Sequence, residues 1–306
     1  MTTVAAVDCG TNTVRLLIGD LPDVSVRASR IVRLGQGVDA TGRLAGDALE
    51  RTFAAIDEYA ALVAEHGVDR DRIRFCATSA TRDAENSQDF SDGVLARLGV
   101  RPEVLSGAAE AALAFDGAVR GLRSPPADPV LVVDVGGGST ELVLGTADGP
   151  ESSDSMDVGS VRLHERLVRS DPPTRAEVDA CVRAIDEHLD ASPVEPGRAA
   201  TVVGVAGTVT TIAAGVLGLP AYSREAIDQA VLPVEDVHAM VDRLVAMTVA
   251  ERRALPYMEP GRADVIAVGG LILSRVLRRT PVSSLLASES DILDGIAWSI
   301  AAPPAG

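Results

Sequence analysis

Two short stretches of the chain carry residues spaced for phosphate chemistry. "AVDCGTNTVRLLIG" at 6–19 and "VVDVGGGSTELVLG" at 132–145 each place an aspartate near the end of an apolar run, then a turn of small residues, then a second apolar run. Laid over one another without a gap, Asp8 falls on Asp134, Gly10 on Gly136, Thr13 on Ser139, Leu16 on Leu142 and Gly19 on Gly145, at an offset of 126 residues. Glycines in such turns let the backbone approach a ligand and aim its N–H groups at one point, which suits an anion. Gly10, Thr11 and Asn12 in the first copy, and Gly136, Gly137, Gly138 and Ser139 in the second, are candidate phosphate binders. Asp8, Asp134 and Glu141 offer the hard oxygen donors that a divalent cation takes. The residues alone leave blander roles open, since glycine turns also serve hairpins that need only positive φ, and aspartates also cap amides where strands enter turns.

Each copy reads as a strand, a turn and a second strand, so each is expected to open its own domain as a hairpin. Between the copies, "LERTFAAIDEYAALVAEH" spaces Leu49, Phe53, Ile56, Ala60 and Val63 along one helical face, and "RIRFCATS" reads as a short strand. "SATRDAENSQDFSDGVLARLG" is helical in parts, "PEVLSG" is another strand and "AAEAALAFDGAVRGL" another helix. "RSPPADP" at 123–129 is a linker by composition, which gives domains at 1–124 and 125–306. The second half follows with strands at 130–145, a helix near 174–190, "TVVGVAGTVTTIAAGVLG" as strand, turn and helix, helices at 234–247 and 262–278, a strand "SSLLA", and a helix near 291–300. Strands alternating with helices predict an α/β fold of two similar domains with an interdomain cleft.

Composition narrows the function. A formal net charge of -16 and the absence of a basic stripe argue against a nucleic-acid partner. All 28 basic residues are arginine, which removes lysine chemistry and leaves forked guanidinium contacts to phosphate. Cys9, Cys76 and Cys181 are scattered and read as reduced thiols, and the four histidines show no zinc spacing. The N-terminus lacks the basic region of a signal peptide, so a cytoplasmic location is expected. The uncharged stretch 199–223 is long enough to span a bilayer, but its glycines and threonines read better as a strand, a turn and a packed helix, with no membrane partner.

Taken in order, "AVDCGTNTVRLLI", "CATSATRDAEN", "VLSGAAEAALAF", "LVVDVGGGSTELVLG", "VAGTVTTIAA" and "GRADVIAVGGLIL" resemble the exopolyphosphatase and guanosine pentaphosphate phosphatase (Ppx/GppA) family, within the actin and hexokinase superfamily. The resemblance runs from about residue 5 to residue 295 and implies two actin-like (ribonuclease H-like) domains. It implies an exopolyphosphatase that releases terminal orthophosphate from inorganic polyphosphate, short chains in particular because the further helical domains of longer members are missing here. Guanosine pentaphosphate is the alternative substrate, and a non-catalytic polyphosphate or guanosine tetraphosphate sensor the alternative role. By resemblance Glu110 is the catalytic carboxylate that takes a proton from water and Arg82 an arginine that reaches phosphate oxygens; Arg15 is a further candidate for phosphate, and the residues alone leave a surface ion pair open for either arginine. Gly207 and Thr208 resemble the superfamily turn that approaches a further phosphate, whereas Arg262 and Asp264 read as structural. Mg²⁺ or Mn²⁺ is the expected cofactor and a homodimer the expected assembly.

Overall fold

The computed structural model describes residues 3–146 and 148–301. Val4–Cys9 (β1) is apolar on both faces, as a central strand must be, and all six of its residues are buried. Ala5, Val7 and Cys9 enter one core and Val4 and Ala6 the other, as a period of two requires. β1 pairs antiparallel with Thr13–Asp20 (β2), which pairs with Asp23–Ile31 (β3). On its other side β1 runs parallel to Ile73–Ala77 (β4), and β4 to Glu103–Val104 (β5). The resulting five-stranded sheet has the order β3-β2-β1-β4-β5.

The second unit repeats this plan. Val130–Val135 (β6), Thr140–Thr146 (β7) and Gly149–Met156 (β8) form the antiparallel part, and Thr201–Val205 (β9) runs parallel to β6. With Ala230–Pro233 (β10) and Ser284–Ala287 (β11) the six-stranded order is β10-β11-β9-β6-β7-β8. Read backwards, β8-β7-β6-β9-β11 reproduces β3-β2-β1-β4-β5, with β10 added at the edge. The duplication seen in two hairpins thus extends to whole sheets, and the expected α/β class is observed.

The structure departs from the sequence reading in the edge strands β3, β8 and β10, in one helix and in how the units divide. Strands β3 and β8 were not expected, because both are polar and largely solvent-facing edge strands. The helix Ser160–Leu167 was not expected either. The units also divide differently: the first comprises the described residues through Gly117 together with Ile292 to Ala301, and the second runs from Ala118 to Asp291. The reason is apolar burial, since Ile292, Leu293, Ile296 and Ala297 of the last helix pack on Val4, Ala6, Leu17 and Cys76. In the second unit, the long apolar segment resolves into β9 and the helix Ala206–Val216. Among the described residues no helix is long and apolar enough to cross a membrane.

Candidate functional site

The first hairpin turns where β1 ends. The Gly10 amide donates to the Thr13 carbonyl at 2.9 Å and closes the turn. The Thr11 carbonyl accepts from the Gly35 amide at 2.8 Å, and the Asn12 carbonyl from the amides of Val32 and Arg33 at 3.0 and 2.9 Å. With its carbonyls held from behind, the turn leaves the amides of Thr11 and Asn12 without a protein acceptor among the described residues. Thr11 Oγ1 lies 2.9 Å from Ser79 Oγ.

The second hairpin is built the same way. The Gly136 amide donates to the Ser139 carbonyl at 3.1 Å. The Gly136 carbonyl accepts from the Ser160 amide at 3.0 Å, and the Gly137 carbonyl from the amides of Val161 and Arg162 at 2.9 and 3.1 Å. The Gly138 carbonyl accepts from Arg162 Nε at 2.7 Å. The amides of Gly137, Gly138 and Ser139 have no protein acceptor among the described residues, so three donors are available to an anion. None of Gly10, Gly136, Gly137 and Gly138 has positive φ, so conformational need does not explain them. Space does so for Gly136, where a Cβ would lie 2.9 Å from the Ser139 carbonyl oxygen.

What stands opposite each aspartate differs between the copies. On the β1–β2 ladder Asp8 faces Arg15, whose Nε and Nη2 donate to Asp8 Oδ2 at 3.0 and 2.6 Å. On the β6–β7 ladder Asp134 faces Glu141, at the position equivalent to Arg15. Directly opposed residues hold their Cβ atoms about 4.5–5.5 Å apart, and like charges so placed repel. Ser155 donates to Glu141 Oε1 at 2.7 Å and fixes one side of that carboxylate. Among the described residues no three His, Cys, Asp or Glu side chains cluster as a ready-made metal centre. Asp8, expected beside Asp134 and Glu141 at a cation, has an arginine partner in its own hairpin, and Arg15, expected at phosphate, is that partner.

Glu110 lies in the first turn of the helix Gly107–Arg120, after Leu105 and Ser106. The Ser106 hydroxyl accepts from the Ala109 amide at 3.2 Å and so serves the start of that helix. Glu110 is buried, and Arg82 Nη1 donates to its Oε2 at 3.2 Å and to the Leu105 carbonyl at 2.9 Å. The structure therefore brings Arg82 to the carboxylate that the sequence singled out.

Gly207 and Thr208 follow Ala206, whose left-handed φ of 64° marks a strained junction between β9 and its helix. Thr208 Oγ1 donates to the Val135 carbonyl at 3.1 Å, which binds the turn to β6. Arg262 lies over Gly207: Nη1 donates to its carbonyl at 2.6 Å and to Thr211 Oγ1 at 2.8 Å. A Cβ on Gly207 would come within 2.3 Å of Arg262 Cζ. Arg262 thus sits at the expected ligand-binding turn, although its sequence surroundings read as structural. The fully buried Arg252 holds the segment from which it reaches, donating to the carbonyls of Ala263 and Asp264 at 2.8 and 3.2 Å.

The thiols take no part. All three are buried and free, and burial raises the pKa of each, that of Cys181 to about 11.

The family model of the Ppx/GppA phosphatases matches residues 17–302. The chain belongs to the Ppx/GppA phosphatase family. It is 47% identical to exopolyphosphatase 2 of Mycobacterium tuberculosis over 98% of this chain and 99% of that one. A crystal structure of an exopolyphosphatase-like protein superimposes with a TM-score of 0.93 at 44% identity, covering 97% of this chain and 98% of the other. The Ppx/GppA family member from Aquifex aeolicus gives 0.82 at 30% identity over 97% of each chain.

Proposed function

We propose that this Ppx/GppA protein is an exopolyphosphatase that hydrolyses the terminal phosphoanhydride of inorganic polyphosphate. The observation that carries the reading is the second hairpin, where two opposed carboxylates, Asp134 and Glu141, stand beside three outward backbone amides. Two carboxylates, with phosphate oxygens and water completing the shell, form a donor set that suits Mg²⁺, which seldom takes an all-protein cage. Bound there, Mg²⁺ or Mn²⁺ would neutralise charge on the phosphate oxygens. Asp8, paired with Arg15, supports the first turn.

Glu110 accepts the proton of the attacking water as the new P–O bond forms and the bridging P–O bond breaks, and the shortened chain departs as the anion. Arg82 orients that carboxylate. The amides of Gly137, Gly138 and Ser139 donate to phosphate oxygens, where oriented backbone donors need no reorganisation during reaction. Similarity to an exopolyphosphatase over nearly the whole chain supports polyphosphate over guanosine pentaphosphate. Free buried thiols suit a cytoplasmic enzyme.

The decisive experiment measures orthophosphate released from short polyphosphate, long polyphosphate, guanosine pentaphosphate and ATP by the purified protein with Mg²⁺. Polyphosphate should give the highest kcat/KM. Release from guanosine pentaphosphate alone would transfer the assignment to that substrate, and binding without release from any would make the protein a sensor.

A further inference from the structure

We infer that the segment leaving β8, from Asp157 to Arg162, sets the orientation of the glycine turn, with Gly159 and Arg162 as its positioning residues. The inference rests on the phosphate-binding reading of that turn. Every glycine carbonyl of the turn is taken by this one segment: Gly136 by the Ser160 amide and hydroxyl, Gly137 by the amides of Val161 and Arg162, and Gly138 by Arg162 Nε. A peptide whose carbonyl is pinned to one side presents the following amide to the other. Pinning the carbonyls of Gly136, Gly137 and Gly138 therefore directs the amides of Gly137, Gly138 and Ser139 away from the segment.

Fit supplies a second, independent observation. A Cβ on Gly159 would lie 2.3 Å from the Gly137 oxygen and 2.5 Å from the Gly138 carbonyl carbon, far inside contact distance. Any side chain there must displace the turn itself. The first unit repeats the device after its own third strand, where a Cβ on Gly35 would meet Thr11 Cγ2 at 2.4 Å and the Gly35 amide holds the Thr11 carbonyl. Each unit thus packs a glycine against its turn too tightly to admit a Cβ, Gly35 against the Thr11 side chain and Gly159 against the backbone of Gly137 and Gly138. The segment is itself fixed, since Thr140 Oγ1 donates to the Val158 carbonyl at 2.5 Å and the Arg162 side chain is only 12% exposed. The guanidinium reaches Gly138 from within the protein and acts through the backbone.

The test compares Arg162→Ala, Arg162→Lys and Gly159→Ala with the wild type in full-length protein, using tripolyphosphate binding by calorimetry, steady-state kinetics on polyphosphate, Mg²⁺ titration and melting temperature. Arg162→Ala should weaken tripolyphosphate binding and raise KM at least tenfold while the Mg²⁺ half-saturation stays unchanged, because Asp134 and Glu141 sit on the strands. Arg162→Lys, which retains a cationic donor, should recover most of the loss, and Gly159→Ala should reproduce it. Wild-type KM and binding in a folded Arg162→Ala protein would overturn the inference. So would a uniform fall in melting temperature, kcat and Mg²⁺ affinity that lysine does not rescue, which marks a purely structural arginine. A wild-type protein that neither binds nor hydrolyses polyphosphate refutes the functional reading instead, so the two failures are distinguishable.

Discussion

Glu110 and Arg82 meet at 3.2 Å, and the same Arg82 nitrogen is anchored to the Leu105 carbonyl, so the carboxylate is aimed by a group that cannot swing freely. Glu110→Gln keeps the shape and removes the carboxylate proposed as the base. It should lower kcat by roughly 10² to 10⁴ with little change in melting temperature, the usual worth of a general base. Full turnover in the folded variant, by phosphate release, would end that role. The two aspartates should part company under the same kind of change. Asp134→Asn is expected to raise the Mg²⁺ concentration needed for half-maximal rate. Asp8→Asn leaves Arg15 without its carboxylate and should cost about 1–3 kcal/mol of stability, with an unaltered Mg²⁺ titration. Equal metal dependence in both variants would contradict the separation. The sequence alignment of the hairpins already sets Arg15 against Glu141, but that this position faces the aspartate is a matter of ladder register, which sequence does not print.

Strands and helices were legible where burial enforced a pattern. β1 and β6, buried on both faces, read as continuous apolar runs, and the helix Gly46–Glu65 was visible from its period. β3 and β8 were not, because an edge strand facing solvent needs no apolar alternation and can be built of Ser, Asp and Arg. That gap hid Gly35, Gly159 and Arg162, which act at the turns only because the third strand of each sheet ends beside them. Helix termini give a test at this scale. Thr174 and Glu177 form a capping box, and the backbone amide of Thr174, then that of Arg169, hold the Glu177 carboxyl down to about 2 from an ordinary value near 4.5. A carboxyl whose folded pKa is depressed contributes stability above its unfolded pKa and loses it as pH falls toward the folded one. The melting-temperature gap between wild type and Glu177→Gln should therefore be full at pH 6 and shrink between pH 4.5 and 2. A gap independent of pH would show that the charge of Glu177 is not what the cap uses.

At the scale of the whole chain, the first unit is finished by the last helix. Ile292–Ala301 lays Ile292, Leu293, Ile296 and Ala297 on Val4, Ala6, Leu17, Leu105 and Ala114, residues contributed more than 170 positions earlier in the chain. Polar ties run alongside: Arg27 pairs with Asp294, Arg74 Nη1 donates to Ser299 Oγ at 2.6 Å, and Arg72 Nη1 to the Ile300 carbonyl at 3.2 Å. A domain boundary drawn from composition at residue 124 could not anticipate this, because the apolar face of β1 does not name the helix that covers it. Each unit has its own core, so weakening this contact should act on the first unit first. Trp298, the chain's one tryptophan, lies in this helix and gives that unit an intrinsic optical reporter. Ile296 is fully buried, and Ile296→Ala should cost about 2–5 kcal/mol. In urea, the tryptophan fluorescence midpoint of the variant should fall well below that of far-UV circular dichroism, which also follows the second unit. Coincident midpoints in wild type and variant, or an unshifted fluorescence transition, would mean that the helix does not hold the first unit together.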